Sequence, residues 1–288
     1  LWLAQRRVLR RAAESAAIVF EFLDRRGEVG QVVGAEFLKA LSRRLEFDQV
    51  SLREPGSGQK LLDQITLTIG AKQRVAFVGL DHSERQAIAS LVTRFVDPSS
   101  GEVRIDGKNI RWVTLDSLRM QVGLVMRDQY IFNDTVLNNI GCGDPSFSLP
   151  QIFEAAKLVH AHHFIQRLPY GYETRIGDLG HSLDAGQQFR LALARAVLRD
   201  PALLVIEEPQ ELDDKTKKLL DDAYARILVD RTVIFFPRRL STLKSTDRVF
   251  VIRDGKLVAE GEHRELLRDD ELYRHLYYME FYAAAEAV

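Results

Sequence analysis

The sequence has very little cysteine, no long apolar run and no excess of either charge. Cys142 is the only cysteine in 288 residues, which excludes an internal disulfide and a zinc site built on cysteine thiolates. No run of about 18 apolar residues occurs, so no segment has the pattern of a membrane-spanning helix. Lys and Arg number 40 against 41 Asp and Glu, and this balance argues against a nucleic-acid partner.

The remaining composition is that of an ordinary folded protein, with 46% apolar and 28% charged residues. Residues 1–24 predict an amphipathic helix with a strongly basic start. Two interpretations stay open for it: a solvated surface helix, or the cytoplasmic extension of a membrane helix, where Lys and Arg concentrate. Residues 25–44 contain several glycines and predict a linker. Because the sequence starts at Leu1, we expect it to be the C-terminal part of a longer protein.

From residue 45 onward the pattern is α/β. Short apolar runs alternate with helical segments, which predicts a parallel sheet with antiparallel hairpins attached. The dipeptides Asp106-Gly107 and Asp254-Gly255 mark the hairpin turns. We predict strands at 45–52, 65–69, 74–79, 102–105, 122–125, 203–206, 233–236 and 249–252, and helices at 88–95, 150–168, 185–198 and 263–280.

Residues 79–86, with the sequence GLDHSERQ, lie between a predicted buried strand and a predicted helix. A strand, a glycine and a helix are the context of a phosphate-binding loop, whose template is G-x-x-x-x-G-K-[ST]. Only the first glycine of that template, Gly79, is present here. Taken alone, the segment is better interpreted as an ordinary turn between a strand and a helix.

The segments on both sides change this interpretation. They include 100–107 (SGEVRIDG), 117–119 (SLR), 128–140 (DQYIFNDTVLNNI), 168–178 (LPYGYETRIGD), 186–196 (GQQFRLALARA), 239–242 (RLST) and 248–267. In this order they resemble the motifs of ABC transporter nucleotide-binding domains of the exporter branch. The resemblance covers residues 45–280, and the stretch 20–24 (FEFLD) is similar to the part of the family that joins this domain to the last membrane helix.

The resemblance implies a P-loop NTPase core with a mainly parallel sheet, an antiparallel β subdomain, and a helical subdomain at about residues 127–198. Residues 281–288 would be a C-terminal tail. It also implies ATP and Mg²⁺ as cofactors and a location at the cytoplasmic face of a membrane. The partners would be a transmembrane domain of the same or a longer chain and a second nucleotide-binding domain, identical or different.

The phosphate loop departs from the family at the residues that would contact ATP. Glu84 replaces a glycine, Arg85 the lysine, and Gln86 the hydroxyl that binds Mg²⁺, while Ser83 precedes them. A carboxylate about 4 Å from a phosphate is repelled by about 4 kcal/mol at an effective dielectric constant of about 20. Arginine lacks the compact shape of lysine. A glutamine oxygen suits a tight Mg²⁺ site poorly.

The family's other site positions are changed in the same way. Glu54 stands for the adenine-stacking aromatic, Arg127 for the Q-loop glutamine, Glu207 for the Mg²⁺-binding aspartate and Arg238 for the H-loop histidine. The signature motif keeps Gly186 and Gln187 but has Asp184 in place of its serine, whereas Glu208 matches the general base and Asp214 the D-loop aspartate.

These changes predict that ATP binding is weak or absent and that the domain is a structural or regulatory half of a transporter. Two alternatives stay open: an active ATPase that uses Arg85 and Glu207, and a module that binds a protein or an anion at Arg85, Arg127 and Arg238. We also predict that these arginines and Glu84, Glu207 and Glu208 form a salt-bridge network. The tyrosine-rich segment Tyr273–Tyr282 is expected to pack in the core or at a dimer contact.

Overall fold

The computed structural model describes residues 29–54, 56–127 and 130–282, together with positions 2, 6, 12, 13, 15–17, 19 and 20. The isolated N-terminal positions are helical and exposed, and the rest of the helix predicted over 1–24 lies outside the described residues. In the predicted linker, Glu36 pairs with Val113 in an isolated parallel bridge, and Leu38 is buried. In the described part of the chain, no helix combines the length and the apolarity that crossing a bilayer requires.

The described strands form two sheets. The strands are β1 (Arg44–Arg53), β2 (Lys60–Gly70), β3 (Arg74–Val78), β4 (Ser100–Ile105), β5 (Lys108–Asn109), β6 (Val122–Val125), β7 (Leu203–Glu207), β8 (Thr232–Phe236), β9 (Arg248–Arg253) and β10 (Lys256–Gly261). A four-stranded antiparallel sheet has the order β2-β1-β4-β5. A six-stranded sheet has the order β10-β9-β3-β8-β7-β6, in which only the pair of β9 and β10 is antiparallel. The predicted α/β fold class, with a mainly parallel sheet and an antiparallel part, is confirmed.

Eight of the described α-helices lie in the connections between these strands, and two follow the last strand. They are α1 (His82–Val92), α2 (Leu115–Gln121), α3 (Val136–Gly141), α4 (Leu149–Leu158), α5 (His162–Ile165), α6 (Ala185–Leu198), α7 (Asp214–Ile227), α8 (Leu240–Lys244), α9 (His263–Asp269) and α10 (Glu271–Tyr277). The π-helical turn Tyr278–Tyr282 follows α10 directly.

Two of the predicted helices are broken into shorter ones. The helix expected over 150–168 is interrupted at His160, whose φ of 57° is left-handed and cannot continue a right-handed helix. The helix expected over 263–280 ends at Asp269. Asp270 then caps α10, because its side chain accepts a hydrogen bond from the N–H of Tyr273.

The core strands bring the predicted site residues to one edge of the six-stranded sheet. Every residue of β7 and β8 is buried, as expected for central parallel strands covered on both faces. The loop that starts at Gly79 follows β3, Glu208 follows β7, and Arg238 lies just beyond β8. Because β3, β8 and β7 are parallel neighbours, their carboxyl ends meet, and ligands of open α/β sheets bind at such ends.

Candidate functional site

The loop after β3 is shorter than the phosphate-loop template because helix α1 starts early. Gly79 has a φ of +80°, and a Cβ placed on it would lie 2.4 Å from the carbonyl oxygen of Ile252, so only glycine fits. Helix α1 begins at His82, with Asp81 as its N-cap. Positions 82–84, which are loop in the template, therefore form the first helical turn.

A capping box closes the N-terminus of α1. The Asp81 carboxylate accepts a hydrogen bond from the N–H of Glu84 at 2.8 Å, and the Glu84 carboxylate accepts one from the N–H of Asp81 at 2.8 Å. The other oxygen of Glu84 accepts from the N–H of Gly255, in the hairpin between β9 and β10, at 2.7 Å. Glu84 is only 7% exposed. The helix end that attracts anions in phosphate loops thus already holds carboxylates of the chain itself.

Arg85 points inward and forms a buried ion pair. Its Nε lies 2.7 Å from Oε1 of Glu207, and the two side chains are 9% and 1% exposed. The guanidinium also donates to the carbonyl oxygen of Leu80. The second oxygen of Glu207 accepts from the backbone N–H of Arg127 at 3.3 Å. Of the predicted salt-bridge network, the contact of Arg85 with Glu207 is confirmed, whereas Arg127 contributes its backbone N–H and forms no ion pair among the described residues.

Glu208, at the general-base position, is fully buried, and its ion-pair partner is none of the three arginines of the predicted network. Its Oε1 accepts from Nε of Arg239 at 2.8 Å and from the hydroxyl of Thr242 at 2.7 Å. Its Oε2 accepts from the backbone N–H groups of Arg238 and Arg239 at 3.0 and 3.1 Å. The predicted network is wrong here: Arg239 pairs with Glu208 in place of Arg238, and Glu84 pairs with backbone N–H groups in place of arginine.

The Arg238 side chain is left without a carboxylate at ion-pair distance among the described residues. Burial, and then the nearby Arg85 guanidinium, lower the pKa of Arg238, while Glu280 and Glu207 raise it. Sequence analysis missed Arg239, which was used only as part of the RLST motif. The signal available was its place next to Arg238, directly after a buried strand.

The signature segment carries a second capping box of the same type. Asp184 is the N-cap of α6 and accepts from the N–H of Gln187 at 2.7 Å, and Gln187 accepts in return from the N–H of Asp184 at 3.1 Å. A Cβ on Gly186 would lie 2.8 Å from a Thr216 side-chain carbon, so this glycine lets α6 and α7 approach closely. Asp184 thus places a negative charge at the N-terminus of α6, where it also accepts a hydrogen bond from the Gln187 N–H.

The remaining candidate residues lie in three separate places. Glu54, Ser83 and Gln86 line a groove of about 400 Å³ between the β1–β2 turn and α1. The Glu54 carboxylate accepts from the hydroxyl of Ser57 at 2.6 Å, and none of the described residues that line this groove is aromatic. Asp184 and Gln187 line another cavity, of about 540 Å³. Asp214 is exposed and pairs with Lys217 at 3.0 Å.

Comparison with known proteins agrees with this architecture. The family described as ABC transporter matches residues 62–211, which is about half of the chain. The fold and the order of motifs are those of an exporter-type nucleotide-binding domain. The chain belongs to the ABC transporter family.

Relatives and solved structures show how much of a transporter this chain covers. A protein of Staphylococcus aureus strain NCTC 8325, named "Putative multidrug export ATP-binding/permease protein", is 37% identical over 260 residues, which is 90% of this chain and 45% of the relative. A protein of the same name from the bovine strain RF122 is 36% identical over the same lengths. The structure of a bacterial Atm1-family ABC exporter with ATP bound matches with a TM-score of 0.86 and 33% identity, over 95% of this chain and 48% of that one. The chain thus spans about half the length of the relatives that it matches.

Proposed function

We propose that this domain is degenerate: it binds MgATP weakly or not at all, does not hydrolyse it, and serves as a structural or regulatory half of an ABC exporter. The observation that carries the proposal is the buried Arg85–Glu207 ion pair. The residue at the position of the phosphate-binding lysine and the residue at the position of the Mg²⁺-binding aspartate neutralise each other. Both are thereby withdrawn from the contacts that the motif reserves for nucleotide and metal.

The residues at the metal position do not fit Mg²⁺. This ion requires a near-octahedral set of oxygen ligands. One Glu207 oxygen is bound by Arg85 and the other by the Arg127 N–H, while Gln86 lines the separate groove that contains Glu54. Breaking a buried ion pair costs about 3–5 kcal/mol, because one charge stays buried and uncompensated. If nucleotide binding had to break it, the affinity would fall by a factor of about 10² to 10⁴.

Glu208 is poorly placed to act as a general base. A base must reach the proton that it accepts, directly or through one water. Glu208 is fully buried, and its two oxygens already accept four hydrogen bonds, two of them from the backbone and one from a guanidinium. A structural role accounts for a glutamate at this position, because its contacts with Arg239 and Thr242 connect the end of β7 to α8.

We further propose that the domain works at the cytoplasmic face of a membrane, below a transmembrane domain of the same or a longer chain and beside a second nucleotide-binding domain. Support comes from the relatives, whose names join ATP-binding and permease functions and whose chains are about twice as long. If the second domain has intact motifs, Asp184 would face its nucleotide with a carboxylate. We therefore expect ATP-driven closure to be impaired in either kind of pair.

Turnover measurements test this proposal. We expect the ATPase rate of the 288-residue chain with Mg²⁺ to equal that of Glu208→Gln, because Glu208 is not available as a base. Glu211→Gln, an exposed acid three residues along the same segment, is the control for expression, and a melting curve of Glu208→Gln shows whether that variant keeps its fold. Turnover that depends on ATP and Mg²⁺, persists in Glu211→Gln and disappears in Glu208→Gln would establish the active-ATPase alternative instead.

A further inference from the structure

The C-terminal segment Tyr278–Tyr282, which we name the strap, lies against the carboxyl end of β3. It forms a π-helical turn directly after α10. Phe281 is 4% exposed and belongs to a core cluster with Val78 of β3 and Val251 of β9. Tyr273 and Tyr277 are buried in the same cluster, so core packing is confirmed for these two tyrosines, whereas Tyr278 is exposed. This packing sets the position of Glu280, which precedes Phe281 in the strap.

Glu280 of the strap faces the candidate site across a small cavity. The cavity has a volume of about 10 Å³ and is lined by Glu280, Arg238, Arg85 and the start of the loop at Gly79 and Leu80. This is room for about one water molecule. Helix α10 covers the same place, because its Leu276 side chain lies 3.1 Å from where a Cβ on Gly79 would be. The space between the strap, Arg238 and the first residues of the loop is therefore too small to hold a phosphate group.

Among the charged side chains around this cavity, Arg238 is the one that Glu280 can neutralise. Arg85 is neutralised by Glu207, whereas Arg238 has no carboxylate at ion-pair distance among the described residues. Burial raises the pKa of Glu280, and the Arg238 and Arg85 guanidiniums oppose this rise. The Glu280 carboxylate in turn raises the pKa of Arg238. A carboxylate and a guanidinium that face each other across one water can interact through that water.

We propose that Glu280 is an internal anion that occupies the site in front of Arg238 and so excludes phosphate-type anions from the loop after β3. The strap is then an autoinhibitory contact built from the chain's own C-terminal segment. This inference rests on the proposed function, since it explains how the site is kept closed to nucleotides. It also assigns the strap a role in the site in addition to its packing in the core.

Binding of inorganic pyrophosphate, without metal, tests the strap directly. Calorimetry would compare the unmodified chain, Glu280→Gln, the double variant Arg238→Gln/Glu280→Gln, and Glu271→Gln, which removes an exposed carboxylate from the start of α10. We expect Glu280→Gln to bind pyrophosphate at least about ten-fold more tightly than the unmodified chain, equivalent to about 1.4 kcal/mol. Glu271→Gln should match the unmodified chain, and the double variant should lose the gain.

A second readout reports on the strap itself. Amide hydrogen exchange over residues 278–282 should become faster in Glu280→Gln and stay unchanged in Glu271→Gln, because local opening follows the loss of local contacts. The inference is overturned if Glu280→Gln neither gains affinity nor exchanges faster, or if the gain survives in the double variant. MgATP binding by the unmodified chain would instead contradict the proposed function, so the two failures are distinguishable.

Discussion

Replacing Arg239 by methionine is expected to lower the free energy of unfolding by about 3–5 kcal/mol, the largest single effect at this site. Glu208 is fully buried and depends on the Arg239 guanidinium for its only ion pair among the described residues. Methionine preserves most of the side-chain volume, so the loss reports on the uncompensated carboxylate. At about 2–4 °C per kcal/mol for a domain of this size, the melting temperature should fall by about 6–20 °C.

The neighbouring arginine provides a matched control. Arg238→Met removes the same charge one residue earlier, but this side chain has no carboxylate at ion-pair distance in the described part of the chain. We expect its effect to be below about 1 kcal/mol, the range of a charge without an optimised partner. Chemical denaturation of both variants gives the comparison.

The double variant Glu208→Gln/Arg239→Met should recover part of the loss, because it removes the buried charge that Arg239→Met leaves unpaired. If instead Arg238→Met is the more destabilising of the two single variants, the assignment of Arg239 as the partner of Glu208 is wrong.

The second large effect is expected when the glycine of the phosphate-loop template is restored. Glu84→Gly should lower the free energy of unfolding by about 2.5–5 kcal/mol. It removes the Glu84 half of the capping box, worth about 1 kcal/mol, and leaves the buried N–H of Gly255 unpaired at about 1–3 kcal/mol. Glycine inside a helix costs about 0.5–1 kcal/mol more. A change that brings the sequence closer to the template is thus expected to weaken this particular fold.

Ser83→Gly is the control that measures the cost of placing glycine in this helix, without the loss of the Glu84 hydrogen bonds. It lies in the same turn of α1 and is only partly buried, so it reports the propensity cost of about 0.5–1 kcal/mol alone. The difference between the two variants measures the contacts of Glu84. Equal effects would mean that these contacts stabilise nothing, and that Glu84 does not replace a phosphate at this helix end.

The strands and the sheet class were predictable from the sequence because buried parallel strands leave a strong local pattern. The limits of β6 and α6 agree with those predicted, at 122–125 and 185–198. The start of α1 was missed. Asp81 and Glu84 have the spacing of a capping box, but the same segment also has the context of a phosphate-binding loop, and the two local signals predict different starts for the helix.

The sequence predicted which residues of the site lie near one another, because their strands are neighbours in the sheet, but it did not predict which side chains pair. The ends of β3 and β7 lie on either side of β8, so the motif positions predicted that Arg85 and Glu207 belong to one network, but not that they pair with each other. Whether Arg238 or Arg239 reaches Glu208 depends on how the backbone turns after β8, which no sequence pattern sets. The approach of Glu280 depends on the packing of the C-terminal segment across the sheet, a long-range contact without a local signal.

The most direct measurement of the central claim is MgATP binding to the unmodified 288-residue chain, by thermal shift and calorimetry. A ligand at about 100 times its dissociation constant stabilises the folded state by about 2.7 kcal/mol, which a melting curve resolves. We predict no Mg²⁺-dependent shift at about 5 mM ATP, because the groups that would hold the nucleotide and the metal are bound to one another. A clear shift that requires Mg²⁺ and disappears when ATP is omitted would contradict the account, since Arg85 and Glu207 would then have to separate to admit the ligand.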